Sequence, residues 1–319
     1  MNAREKSLAR IIFQNKILKK DGQEFENFFV SIMSYAYADF KPIKPQGTIG
    51  DRKNDGYIPS IGAYYQVYSP EKPSKNSSIS KAIQKAKEDF DGLYQYWSQI
   101  SDPEEYYFVI NDKYKGSYPE VEKVMSEIKG KYMLNKSEVF LAKNLEDVCF
   151  SLLEDSQLNI AIGFIPPVDE IKLIDFHTLS EIIGYIIKYL QPIDVVNWIP
   201  PEFDGKITYN NLGDLTRSVL NNAYHQCGIL EDYFDNSSDF TRQEVRDRIS
   251  KAYADAMNEF DNIDIEQKSD HVFMRIVESL TPSNVKDNLR KQIQDAVFVL
   301  MAYYFSSCDI FESPIKENK

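Results

Sequence analysis

The sequence predicts a chain of two parts, an α/β domain followed by a mainly α-helical domain. Its 319 residues are more than one domain usually contains. In the first half, patterns typical of helices and of strands alternate, whereas the second half shows helical patterns only. We therefore expect an α/β domain at residues 1–165, a linker or connecting helix at 166–205, and a helical domain at 206–319.

The α/β assignment depends on the spacing of apolar residues in the first half. Phe25, Phe28, Phe29 and Ile32 recur at helical spacing, whereas IPSIGAYYQVYSP is rich in the aromatic and β-branched residues of a strand. The intervening KPIKPQGTIGDRKNDG contains prolines and glycines that favour a loop leading into a hairpin. The predicted helices cover residues 22–37, 79–97, 119–128 and 144–153, and the predicted strands cover 58–70, 106–110, 139–142 and 158–166.

The second half carries apolar stripes at helical spacing and no clear strand pattern. Two PP pairs bracket the first of these helices, which is consistent with a boundary near it. A helical bundle is the natural arrangement for such a series. The predicted helices cover residues 179–189, 212–227, 242–260, 270–280 and 284–305.

Charge is divided unevenly along the chain. The net charge is −12, yet residues 1–150 hold 22 basic and 21 acidic side chains, so the acidity belongs to the second half. The near-neutral first half can still hold a basic groove, while the acidic half favours a protein partner over DNA. Three cysteines without a CxxC pair, and no signal-like or membrane-spanning apolar run, lead us to expect a cytoplasmic protein with no membrane contact.

Three oxygen-bearing side chains are the candidates for chemistry. Glu26 begins the first helix, Asp55 lies in the predicted hairpin, and Gln66 lies in the following strand, where the turn of the chain can set it beside Asp55. Hydrolysis of a phosphodiester needs hard oxygen ligands that hold Mg²⁺. We expect Asp55 to be the main ligand, Gln66 a weaker one, and Glu26 a ligand or a residue that positions water.

Each of these residues also has a purely structural explanation. Asp55 with Gly56 is a favoured turn signal, and an acidic residue such as Glu26 stabilises the first turn of a helix. Gln66 could simply satisfy its hydrogen bonds within a buried strand. Only their order and spacing together favour the metal site.

The same residues resemble a known family of nucleases. Phe25-Glu26, Asp55-Gly56 and Tyr65-Gln66-Val67-Tyr68 are similar to motifs of Mrr-like nucleases of the PD-(D/E)XK superfamily. Over nearly its full length, the chain resembles the effector subunit of ABC-three-component antiphage systems of the Lamassu type. KPQGTIGDRKNDGY and FVINDKYKG carry this resemblance in the first half, and VLMAYYFSSCDIFESP carries it at the C-terminus.

The resemblance implies a restriction-endonuclease-like fold that cleaves double-stranded DNA with Mg²⁺ or Mn²⁺. The third motif of the family is often QxK, but this chain has Tyr68 where the lysine would stand. That lysine orients the attacking water and stabilises developing charge. Lys53 and Lys72 are the two alternatives that we consider as its replacement.

The resemblance also implies partners. An SMC-like ABC ATPase subunit and a small third subunit are expected, with the acidic helical half as the docking surface, and self-association is left open. If the nuclease interpretation holds, Lys81, Lys85 and Lys87 on the predicted second helix are the expected phosphate contacts, although such a strip is usually only a solvated helix face.

Two rival functions remain open. Tyr68 and the modest charge of the first half favour an inactive nuclease fold that binds DNA or assembles the complex. The other rival is a self-sufficient restriction enzyme, which should carry its own target-recognition domain. The acidic second half speaks against that rival.

Overall fold

A computed structural model describes residues 1–44, 52–69, 77–165, 167, 174–192, 203–236, 242–307 and 310–312, without the side chains of residues 77–81, 287 and 288. The chain divides into two compact units. Phe13–Phe164 form one, called here the mixed unit, and Met1–Ile12 with Ile165–Lys319 form the other, called the helical unit. Helix α1 (Ala3–Lys19) contributes residues to both units.

The mixed unit contains a five-stranded sheet whose strands are neighbours in the order of the chain. The second strand is antiparallel to the first and to the third, while the third, fourth and fifth are parallel. Parallel neighbours need crossover connections, and helices supply them here. The strands are β1 (Lys41–Pro42), β2 (Gly56–Ile58), β3 (Ala63–Tyr68), β4 (Glu105–Ile110) and β5 (Lys136–Phe140).

Helices cover both faces of this sheet. On one face, Tyr65 of β3 contacts Phe29 of the helix that precedes the sheet and stacks on Tyr107 of β4. On the other face, Tyr64 and Tyr106 pack with the two crossover helices. The helices of this unit are α2 (Gly22–Ala36), α3 (Ser77–Trp97), α4 (Pro119–Tyr132), α5 (Ala142–Leu152) and α6 (Asp155–Ile162).

Four details differ from the sequence predictions. Helix α1 was not predicted, and the strand predicted at residues 139–142 is β5, which ends at Phe140 before α5 begins at Ala142. The predicted strand at residues 58–70 is interrupted by a 3-10 turn at Pro59–Ile61, where proline removes a ladder donor and Gly62 adopts a φ of 59°. The strand predicted at residues 158–166 is wrong for residues 158–162, which belong to α6. Leu158 and Ile162 are buried four residues apart, which is helical spacing.

The helical unit is built around its last helix. Almost every side chain from Ala296 to Phe305 is buried, including residues on all sides of the helix, and such a helix must lie at the centre of a bundle. It packs against four of the other helices, α7, α9, α10 and α12. The helices are α7 (Phe176–Tyr189), α8 (Phe203–Tyr209), α9 (Asp214–Tyr224), α10 (Cys227–Asn236), α11 (Arg242–Phe260), α12 (Lys268–Leu280) and α13 (Asp287–Ser306).

The predicted bundle agrees with these helices except in α8, α9 and α10. The helix predicted at 212–227 is α9 and ends near Tyr224, and the separate α10 and the short α8 were not predicted. Helix α7 corresponds to the helix predicted at 179–189 in the connecting segment, and it packs against α11 and α13. Among the residues that the structure describes, no helix has the length and apolar character to cross a membrane.

A buried lysine donates hydrogen bonds at the C-terminal end of the central helix α13. Lys206 of α8 is only 1% exposed, and its Nζ donates to the carbonyl oxygens of Phe305 (2.8 Å) and Ile310 (2.7 Å). The same amine lies 4.6 Å from the centre of the Phe305 ring. Carbonyls at a helix end have no partner within the helix, so the lysine satisfies groups that burial would otherwise leave unpaired.

We predict that Lys206→Met destabilises the helical unit by about 1–3 kcal/mol, because two buried carbonyl oxygens lose their donor. Denaturant unfolding of the full chain measures the change. Lys251→Met is the matched control, since Lys251 only pairs with Asp255 on the surface of α11 and should matter by less than about 0.5 kcal/mol. Equal effects of the two variants would contradict the role given to Lys206.

A second prediction concerns the close approach of β2 to the segment before β1. A Cβ at Gly56 would overlap the ring of Phe40, which is itself buried. Gly56→Ala should therefore destabilise the mixed unit by about 1–3 kcal/mol. Gly130→Ala in α4, where a Cβ meets nothing within 4 Å, should instead stabilise it by about 0.5–1 kcal/mol. Opposite signs in denaturant unfolding are the expected result.

Candidate functional site

The hairpin of β2 and β3 brings Asp55 and Gln66 together. Gly56 pairs with Tyr65, so the antiparallel register sets Asp55 opposite Gln66. Nε2 of Gln66 donates to Oδ2 of Asp55 at 2.9 Å, and the backbone N–H of Val67 donates to the same oxygen at 2.6 Å. Both side chains are 4% exposed. The spacing of these two residues in the sequence therefore corresponds to a direct contact.

Several polar atoms near this pair have no partner. Within the residues that the structure describes, Oε1 of Gln66, Nδ2 of Asn54 and the hydroxyl of Tyr106 are buried without a hydrogen bond. Asn54 uses its other amide atom to accept from the N–H of Gly56 at 3.1 Å. Unpaired buried polar groups are costly, so their presence in one region is a property of binding or catalytic sites more than of an ordinary core.

Asp89 of α3 adds a second buried carboxylate that the sequence analysis missed. It is 3% exposed, and its two oxygens face two lysines. Nζ of Lys53 lies 2.8 Å from Oδ1, and Nζ of Lys85 lies 2.5 Å from Oδ2. The available signal was its position directly before the buried Phe90, on the side of α3 that turns toward the sheet.

Burial and the charges of both buried carboxylates, Asp89 and Asp55, affect the pKa of the Tyr106 hydroxyl on β4. Burial raises the pKa of its hydroxyl well above the ordinary value, and the negative charges of Asp89 and, less strongly, Asp55 raise it further. The phenol therefore stays protonated at neutral pH and remains a hydrogen-bond donor. We call Asp55, Gln66, Asp89 and Tyr106 the buried polar cluster, with Lys53 and Lys85 at its edge.

The remaining predicted residues lie elsewhere or outside the described residues. Glu26 accepts a hydrogen bond from Gln23 (2.9 Å) on α2, the helix that packs on the opposite face of the sheet from the Gln66 side chain. Lys72 and the side chain of Lys81 lie outside the described residues. Lys87 forms an ion pair of 2.8 Å with Glu127 of α4.

Position 68, where a QxK motif would have lysine, serves packing. The ring of Tyr68 stacks on Phe108 of β4 with 5.7 Å between the centroids and 18° between the planes. A tyrosine here cannot supply a positive charge to the cluster. Any cation near Asp55 must therefore come from another part of the chain, and Lys53 is one such cation on the same loop.

The site contains some of the oxygen ligands that a divalent cation such as Mg²⁺ prefers. Asp55 provides a carboxylate, and the partnerless Oε1 of Gln66 provides a neutral oxygen, both of which Mg²⁺ accepts. In the described part of the chain, no group of three or more His, Cys, Asp or Glu side chains could share a metal ion. A cation bound here would complete its coordination with water or phosphate oxygens, as Mg²⁺ often does.

One family model matches the chain. Residues 177–312 match C-terminal domain 10 of the ABC-three component (ABC-3C) systems. This part of the chain is a C-terminal domain of the ABC-3C systems. The match confirms the ABC-3C resemblance for the helical unit, while the nuclease resemblance of the mixed unit and the Lamassu type stay predictions. No curated protein and no solved structure matches the chain.

Oδ2 of Asp55 accepts two hydrogen bonds, so two substitutions at this position should lower the free energy of unfolding by different amounts. Asp55→Ala leaves the buried N–H of Val67 without an acceptor and should destabilise the mixed unit by about 1–3 kcal/mol. Asp55→Asn keeps one oxygen for Val67 and should cost less. Denaturant unfolding of both variants checks this order, and a larger loss for asparagine would contradict it.

Proposed function

We propose that this chain is a metal-dependent DNA endonuclease that acts as the effector of an antiviral defence complex. In this proposal the mixed unit is a nuclease of the PD-(D/E)XK type, and the helical unit joins the chain to its partners. The observation that carries the proposal is the buried contact between Asp55 and Gln66, with an unpaired amide oxygen and two lysines nearby.

Asp55 and Gln66 would hold the metal ion. When bound, Mg²⁺ or Mn²⁺ activates water and neutralises charge on the phosphate. The backbone N–H of Val67 and Nε2 of Gln66 fix one oxygen of Asp55, so the carboxylate is held in one orientation before any ion binds. Such preorganisation avoids reorganisation during the reaction. Glu26 remains a proposed water-positioning residue. For that role its side chain would have to reach the site from α2, on the opposite face of the sheet, and exchange its hydrogen bond with Gln23.

A lysine must replace the one missing at position 68. Lys53 is supported by its ion pair with Asp89, because that contact brings its amine to the edge of the buried polar cluster. A positive charge there would stabilise the charge that develops on the phosphate during attack. Lys72 remains the alternative from the sequence.

The surface of α3 is the proposed contact for the DNA backbone. The pair of Lys87 with Glu127 is half-exposed, so it contributes little and could exchange for a phosphate contact. Contacts from Lys81, Lys85 and Lys87 would position the duplex without reading its sequence. The near-neutral charge of the first half is compatible with such a local strip.

The helical unit supplies the proposed link to defence. A C-terminal domain of ABC-3C systems supports membership in a complex of several components and a role in antiviral defence. We propose, from the resemblance of the sequence, that these components include an SMC-like ABC ATPase and a small third subunit, as in Lamassu-type systems. An acidic surface that repels DNA suits a protein-docking role. The partners would hold the nuclease silent until infection.

The second candidate function is an inactive nuclease fold that binds DNA or assembles the complex. Tyr68 favours it, because its ring is committed to stacking on Phe108 and it cannot act as a cation. An inactive fold that binds DNA makes the same prediction for DNA binding as the nuclease, whereas one that only assembles the complex does not. The two candidates differ in whether the buried polar cluster supports cleavage.

Plasmid cleavage separates these candidates. The purified chain, alone and with the products of neighbouring genes, is incubated with supercoiled plasmid and Mg²⁺, Mn²⁺ or EDTA. We expect nicking or linearisation that needs the metal and falls by at least about 100-fold in Asp55→Asn and Asp55→Ala. Asp39→Asn is the matched control, since Asp39 is an exposed carboxylate that accepts a hydrogen bond from Ser60 and lies outside the cluster. Binding of DNA without cleavage under every condition would support the inactive fold.

A further inference from the structure

Asp89 joins cations from two separate elements. Lys53 belongs to the loop before β2, while Lys85 lies one turn before Asp89 on α3. A carboxylate that is 97% buried must be compensated, and here two lysines share one acid. The two lysines are therefore held by the same carboxylate. The side chains of Lys53 and Lys85 are 51% and 36% exposed, so their amines are accessible from solvent.

The loop that carries Lys53 is fixed to α3 by further contacts. Nε1 of Trp97 donates to the carbonyl oxygen of Arg52 at 3.3 Å, and the guanidinium of Arg52 lies 4.8 Å from the centre of the Tyr96 ring. Both Arg52 and Lys53 adopt left-handed backbone, with φ of 57° and 65°. Residues other than glycine rarely adopt this conformation, so the surrounding contacts must hold it in place.

A neighbouring acid shows what a simple surface pair on the same helix looks like. Asp91 pairs with Lys131 at 3.0 Å and accepts from the Tyr132 hydroxyl at 2.5 Å, and it is 45% exposed. Its partners both lie on α4. Asp89 differs in its burial, in its two lysines and in its electrostatic effect on Tyr106. That difference points to a role beyond stabilising α3.

We propose that Asp89 is a positioning residue that holds Lys53 and Lys85 as a pair for one phosphodiester group of the nucleic-acid backbone. The inference rests on the proposed function, because it places that phosphate next to Asp55 and Gln66. Two amines held by the two oxygens of one carboxylate have a fixed separation, and they can contact two oxygens of the same phosphate. Lys85 then belongs to the site itself instead of contacting the duplex at a distance.

Lysine acylation read by mass spectrometry tests the pair without requiring cleavage. In the full chain with Ca²⁺, Lys53 and Lys85 should react several-fold faster in Asp89→Asn than in the unchanged protein. A short DNA duplex should protect both lysines in the unchanged protein and protect them less in Asp89→Asn. Asp91→Asn should change neither lysine. Unchanged reactivity of both lysines in Asp89→Asn, or no protection by the duplex, overturns the proposal.

Two controls test which ligand protects the lysines and whether the Asp89→Asn variant folds. Inorganic phosphate at the same phosphate concentration should not protect the lysines, and equal protection would assign the pair to a free anion and overturn the proposal. Asp89→Glu keeps the charge and should restore part of the protection. If Asp89→Asn fails to fold, the comparison of Asp89→Glu with the unchanged protein decides the matter, since a displaced carboxylate should still weaken protection.

Kinetics of DNA cleavage supply the last readout. Asp89→Asn should lower kcat by about 10–100-fold, the usual effect of losing a residue that orients another. KM for DNA should change by a smaller factor than kcat, because the other contacts with the duplex remain. If kcat falls no more in Asp89→Asn than in Asp91→Asn, the inference is overturned. If the protein cuts no DNA but the duplex still protects both lysines, the proposed nuclease activity fails and the phosphate contact stands.

Discussion

The mixed unit depends on two buried carboxylates, Asp55 just before β2 and Asp89 on α3. Asp55 and Asp89 are almost completely removed from solvent, and a charge in that position is tolerated only when nearby groups compensate it. Asp55 receives two N–H donors from β3, and Asp89 receives two lysines. The hairpin, the loop before β2 and helix α3 must all be in place for this compensation. The fold and the candidate site are therefore stabilised by the same contacts.

The cluster contains more polar atoms than its own hydrogen bonds can use. Gln66 and Tyr106 keep buried atoms unpaired, although the surrounding aromatic core would accept apolar residues of similar size. Such a site gives up some stability, and a natural compensation is a ligand that pairs these atoms when it binds. A metal ion at Gln66 and Asp55, with a phosphate near the lysines, has the required donors and charges.

The helical unit depends instead on the burial of its last helix. Its central helix α13 is buried on all sides from Ala296 to Phe305, where the helices α7, α9, α10 and α12 pack against it. The carbonyl at the end of this helix therefore needs a buried donor. Lys206 provides that donor from α8. In a similar way, Asp270 of α12 accepts from the N–H of Gly213 at the start of α9. At these two places, buried polar residues of the helical unit connect helix ends. In the mixed unit, several buried polar residues instead lie together in the buried polar cluster.

The sequence alone determined the features that depend on local spacing. The apolar periods located most helices, the eleven-residue separation of Asp55 and Gln66 on a hairpin predicted their contact, and the charge count separated a near-neutral half from an acidic one. Only the tertiary structure decided which polar residues are buried and with what partners. Asp89 and Lys206 resemble ordinary helix-surface charges in the sequence, and α6 resembles a strand, because burial depends on which elements pack together. The same reason separates Lys85, which faces Asp89, from Lys87 two residues later, which faces Glu127.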